Sequence, residues 1–137
     1  MLYVILTIIF WGIPPVLDKL AIIHVDTSVA VFVRTAFIAV LTVAVLTATG
    51  KWGLIAEITP RTALYLGVSG LLSGCLGVFT YLQAMKVVQD AGKVAVLTST
   101  YPLVALLLTM LILHEKLTAT KIAGSLLITV GIVLLNL

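Results

Sequence analysis

The chain divides into five apolar stretches, at about 2–23, 27–48, 61–85, 93–113 and 119–137. Each has roughly the 20 residues a helix needs to cross a bilayer. Inside hydrocarbon, backbone amides and carbonyls must be satisfied within the segment, so such stretches are read as helices. Little sequence is left between them, and no loop is long enough to hold a separate domain. Composition points the same way. Of 137 residues 62% are hydrophobic and 9% charged, with a mean hydropathy of +1.31. Ordinary soluble domains carry roughly a quarter charged residues. The expected fold class is therefore an all-α integral membrane protein of five transmembrane helices, in one domain over residues 1–137. A cytosolic globular enzyme, a nucleic-acid-binding domain and a disordered tail are excluded by the same numbers. The expected location is the cell membrane, and the expected surroundings are the lipid bilayer.

The segment ends carry recognisable chemistry. Asp26 or Thr27 can cap the second stretch, and Gly50 suits its C-terminal end. Thr59-Pro60 places a capping residue before a proline at the first helical position. Asp90 to Lys93 and His114 to Lys116 read as short turns. The first stretch lacks a basic leader and a small-residue cleavage site, so it is not expected to be a signal peptide. Five crossings put the termini on opposite sides. Lys51, Arg61, Lys116 and Lys121 fall on the N-terminal side, against Lys19, Lys86 and Lys93 on the other, with Arg34 about two turns inside. Orientation follows such basic residues, and this tally barely favours either direction. The chain is thus compatible with insertion both ways round.

The polar residues inside the stretches are few and patterned. Tyr3, Thr7, Trp11, Pro14 and Asp18 recur at spacings of 4, 4, 3 and 4, which places them on one helical face. Lipid cannot satisfy a polar stripe, so that face is expected against protein or water. Pro14-Pro15 removes amide donors in mid-helix and predicts a kink. Asp18 is an intramembrane carboxylate, and such a group is by default a functional-site hypothesis. Its sequence neighbour Lys19 points elsewhere and can snorkel to the interface, whereas Arg34 lies at similar depth and is its natural partner. Arg34 would hold Asp18 ionised. With that contact drawn away, Asp18 could take up a proton. A buried structural ion pair is the plainer alternative.

In the third stretch Gly67, Gly70, Gly74 and Gly77 form a narrow stripe including a GxxxG, read as a helix-packing groove. Tyr81 and Gln83 near its end can reach a cavity or the headgroups. The fourth stretch carries Thr98, Tyr101 and Thr109 on one face, with Pro102 removing the hydrogen bond to the Thr98 carbonyl. In the fifth, Gly124 and Gly131 mark a close-packing face. One cysteine, Cys75, excludes an intrachain disulfide. His24 and His114 are far apart, so no metal site and no cofactor are expected. No phosphate loop, HExxH, nucleophile elbow or paired intramembrane carboxylates appears, and catalysis has no apparatus.

Together these residues resemble one EamA domain of the drug/metabolite transporter superfamily. The resemblance spans nearly the whole chain. It rests on Trp11-Gly12 followed by Lys19, on Arg34, on Tyr81 through Ala84, on Tyr101-Pro102, on Glu115 with Leu117-Thr118, and on Gly124 and Gly131. The chain departs from the usual pattern at Pro14-Pro15, Asp18 and Lys121. Most members hold two such domains, with ten helices in inverted repeats. This chain holds one, and so is similar to the five-helix bacterial and archaeal group. The resemblance implies a secondary transporter of small organic metabolites or drugs, with the first four helices of each domain lining a cavity.

Three functional readings follow. The first is alternating-access transport by a dual-topology, antiparallel homodimer, since inverted repeats would need two opposed copies. Its substrate-binding residues would be Tyr3, Thr7, Trp11, Asp18, Lys19, Arg34, Tyr81, Thr98 and Tyr101, with Asp18 as the proton or cation site. The second is a half-transporter needing a different, oppositely inserted chain. The third is a membrane scaffold that carries nothing.

Overall fold

The computed structural model describes residues 1–116 and 118–135. Leu117 and the last two residues of the fifth predicted stretch lie outside the described residues. Among those described there is no strand, and four helical spans are long and apolar enough to cross a membrane: Leu2–Ile22, Thr27–Ala48, Pro60–Val88 and Ala91–Leu113. A fifth apolar helix covers Ala119–Leu135, 17 residues. The backbone divides into two compact units, Met1–Val87 and the residues from Val88 onward.

In the first unit, the first span is two helices, α1 (Leu2–Gly12) and α2 (Pro14–Ile22), which meet at Ile13. Two prolines at the start of α2 supply no amide donors, so the hydrogen-bond ladder of α1 cannot run through them. Asp26 then turns the chain. Its Oδ1 accepts the Ser28 amide at 2.8 Å and opens α3 (Thr27–Ala48). That amide holds the Asp26 carboxyl below the usual carboxylate range. Gly50, at φ 64°, takes the left-handed conformation that ends α3.

A short 3₁₀ helix, Lys51–Glu57, joins α3 to the third span. Hydropathy does not single it out as an element of its own. Trp52 Nε1 donates to Thr47 Oγ1 at 3.3 Å and ties it to the end of α3. Thr59 accepts the Thr62 amide at 3.2 Å ahead of Pro60, the capping arrangement expected of that pair.

The third span is continuous but not uniform. It consists of α4 (Pro60–Gly70), a π-helical stretch Leu71–Gly77, and α5 (Val78–Val88). A Cβ built on Gly77 would sit 2.9 Å from the Leu72 carbonyl oxygen. The wide turn therefore needs glycine there. Gly67, Gly70 and Gly74 meet nothing within 4 Å, so among the described residues nothing fills their groove.

The second unit contains α6 (Ala91–Thr98), α7 (Tyr101–Leu113) and α8 (Ala119–Leu135). Asp90 Oδ1 accepts the Lys93 amide at 2.8 Å and starts α6. The fourth span breaks at Ser99 and Thr100, just ahead of Pro102, whose ring is accommodated in the first turn of α7. Gly124 and Gly131 of α8 also meet nothing within 4 Å.

Candidate functional site

The first unit forms an open cavity of about 410 Å³ between α2, α3 and α5. It is lined by Pro14, Leu17, Ala21, Ile22 and Val25 from the α2 side, Ala30 and Val33 from α3, and Leu82 from α5. Two charged residues complete the lining, Asp18 and Arg34. Arg34 Nη1 donates to both carboxylate oxygens of Asp18, at 3.0 and 2.9 Å. The Asp18 side chain is 16% exposed and that of Arg34 36%.

This geometry follows from helix arithmetic. Asp18 precedes the end of α2 by four residues, and Arg34 lies seven residues into α3. After the turn at 23–26 the two helices run back alongside each other, and the residues come to comparable depth, about 6 and 10 Å from their helix ends. A lone charge at that depth is costly in hydrocarbon, so the pair neutralises two otherwise expensive groups. It also leaves them poised. The pair is reached from an aliphatic cavity, and a ligand carrying both signs can exchange with it group for group.

The other polar residues singled out by sequence are placed differently. Tyr81 is half-buried and close enough to Asp18 and Arg34 to feel both charges. Lys19 does not line the cavity, and its Nζ donates to the Met85 carbonyl at 3.2 Å. Tyr3, Thr7 and Trp11 also lie outside the lining. The Thr7 hydroxyl donates to the Tyr3 carbonyl one turn back, at 2.8 Å, and Tyr3 and Trp11 are 82% and 65% exposed on α1. In the second unit, the Thr98 hydroxyl bonds the Val94 and Ala95 carbonyls at 2.8 and 3.0 Å, and Tyr101 is exposed at the start of α7. Among the described residues no cluster of three or more His, Cys, Asp or Glu could hold a metal ion.

The aliphatic walls of the cavity carried no signal of their own. In a chain 62% hydrophobic, Leu17, Val33 and Leu82 look like any lipid-facing residue until the packing is known.

Several apolar helices long enough to cross a bilayer, with an ion pair in the wall of a cavity, define a polytopic membrane protein. Comparison with known proteins places it further. The model of the EamA-like transporter family matches residues 1–137. An uncharacterized transporter in the cobO 3' region of a Sinorhizobium species is 31% identical over 133 residues, covering 97% of this chain and 93% of that protein. No solved structure matches. The chain belongs to the EamA-like transporter family, as a single EamA domain of the drug/metabolite transporter superfamily, and is a multi-pass membrane transporter. In bacteria such a protein resides in the cell membrane.

Proposed function

We propose that this chain is a secondary transporter of small zwitterionic organic metabolites with an aliphatic body, working by alternating access as an antiparallel, dual-topology homodimer. One observation carries the substrate class. The Asp18–Arg34 pair sits in the wall of a cavity that is otherwise aliphatic. An ammonium would replace Arg34 on Asp18 while a carboxylate replaces Asp18 on Arg34, so neither charge is stranded in low dielectric. The aliphatic walls would take the rest of the solute. Asp18 is the proton site of this scheme, binding a proton when neither Arg34 nor the substrate ammonium occupies it. No step is catalytic, and the chain's residues only bind, orient and release.

The dimer is argued from two features. The near-even distribution of Lys and Arg permits both orientations. The glycine groove on α4, open among the described residues, and the exposed surface of α1 around Tyr3 offer area for a second copy to cover. Thr98 and Tyr101 would reach the substrate within that assembly.

The test is uptake into liposomes holding the purified chain alone, with radiolabelled neutral amino acids as probes. Saturable uptake should fall at least about tenfold in both Asp18→Asn and Arg34→Gln while the dimer persists, as expected for losing a charge-assisted contact. Normal coupling in Asp18→Asn would remove the proton role. Uptake that appears only when a second, oppositely inserted chain is added would replace the homodimer by a heterodimer. No uptake in any combination would leave a scaffold.

A further inference from the structure

At one end of the first unit, two lysines make crossed bonds between α2 and α5. Lys19 lies in the last turn of α2, and its Nζ donates to the Met85 carbonyl at 3.2 Å. Lys86 lies in the last turn of α5, and its Nζ donates to the Val25 carbonyl, in the turn after α2, at 2.9 Å. Each lysine thus caps the carbonyl end associated with the other helix. The final carbonyls of a helix lack intrahelical donors and carry the negative end of its dipole, so an ammonium is well placed there. Gln89, at φ 61°, ends α5.

These ties adjoin the cavity at Val25. Val25 lines it and also offers Lys86 its carbonyl. Ile22 and Leu82, which line the cavity too, are 4% and 2% exposed, and Met85 is fully buried. Thr27, at the first position of α3, is fully buried as well, and its hydroxyl has no hydrogen-bond partner among the described residues. A buried hydroxyl without a partner disfavours the closed arrangement, and water entering this end would satisfy it. This end is therefore held by two charged bonds against one polar group that is better off wet.

We infer that Lys19 and Lys86 form a two-bond latch that closes the Asp18–Arg34 cavity at this end, and that opening here requires both ammonium groups to leave their carbonyls. This inference rests on the transport reading for its purpose, since a gate serves a cavity that alternates between two sides. Lys19 is then a gating residue rather than a substrate ligand.

The latch can be read without any substrate. A single cysteine is placed at Thr27 in a Cys75→Ala background. The Thr27 hydroxyl has no partner among the described residues to lose, and cysteine fits the same site with one methyl fewer. The full-length chain in lipid nanodiscs is exposed to a charged, water-soluble methanethiosulfonate reagent. Labelling should be slow with both lysines present. It should rise about tenfold or more in Lys19→Met and in Lys86→Met, the size expected for losing a hydrogen bond to a charged group. Lys19→Arg, which can still donate, should restore the slow rate. A control cysteine at the buried Val94 should label no faster in either variant. Unchanged labelling at residue 27 in the Lys19→Met/Lys86→Met double variant would overturn the latch. So would equal acceleration at residue 94, which would make the lysines general ties of the fold. The Lys86–Val25 bond lies at the surface whereas the Lys19–Met85 bond is half-buried, so Lys86→Met keeps the test available if Lys19→Met does not fold. Failure of uptake in liposomes would sink the transport reading and leave the labelling result standing.

Discussion

At the residue scale, the chain shows how few polar groups a membrane protein needs when each is placed with a partner. Asp18 and Arg34 were legible in the sequence as a pair, because their distances from the same turn are similar and neither can stay alone in lipid. Removing one is predicted to be worse than removing both. Arg34→Leu should cost more stability than Asp18→Asn/Arg34→Gln, by about 1–3 kcal/mol, because a stranded carboxylate is the most expensive remainder. Denaturation of the detergent-solubilised chain compared across the three proteins would check this. Thr27 makes the opposite prediction. Thr27→Val deletes a buried hydroxyl with no partner, and should leave the melting temperature unchanged or raise it.

Asp26 gives a pH prediction. Its carboxyl is held below its ordinary value of 3.8, chiefly by the Ser28 amide. A depressed carboxyl stabilises the fold above its unfolded value and loses that contribution as pH falls through its folded value. Wild type should therefore melt higher than Asp26→Ala at neutral pH. The gap should close below about pH 4, and a gap that persists to pH 2 would contradict it.

At the element scale, the third span separates what periodicity can and cannot announce. Its length, its start at Pro60 and its glycine stripe were legible in the sequence. The π-helical stretch was not, because a widened turn leaves the apolar pattern almost unchanged. What marks it is a single close approach, the Gly77 position 2.9 Å from the Leu72 carbonyl for any added Cβ. Returning Leu71–Gly77 to α geometry would rotate α5 by about 100° for each residue taken out of the wide turn. That rotation would carry Leu82 away from the cavity and Met85 away from Lys19. Gly77→Ala is accordingly predicted to cost about 1–3 kcal/mol, as forced overpacking does. It should also raise labelling of the cysteine at Thr27. A Cβ at Gly74 meets nothing among the described residues, so Gly74→Ala should spare the protomer's stability. Dimer loss in Gly74→Ala, measured by crosslinking in native membranes, would place the partner helix on this groove.

At the scale of the whole molecule, orientation is the open variable on which the dimer depends. A single cysteine added after residue 137 in a Cys75→Ala background should be labelled from outside intact cells in about half the chains, as dual insertion requires. Adding two lysines beside Lys51 should drive the chain toward one orientation and reduce uptake in proportion to the opposed pairs lost. A chain that is fixed in one orientation before any change would exclude the antiparallel homodimer. The glycine grooves, open among the described residues, and the exposed surface of α1 around Tyr3 belong to this scale as well. They are surfaces whose use is set by what lies beside the protomer.

The sequence alone determined the membrane class, the approximate spans, most of their caps and the family. These are consequences of local composition: hydrocarbon demands long apolar helices, and a turn between them demands a cap or a glycine. The tertiary structure decided which residues share a cavity. Trp11 and Thr7, on the same helical stripe as Asp18, fall outside it, because the stripe is broken at Ile13 and the cavity forms only around α2. Lys19 and Lys86 are linked through carbonyls of the opposite element, and a carbonyl has no identity in the sequence. Any residue could supply it, so only the packing of α2 against α5 could reveal which one does.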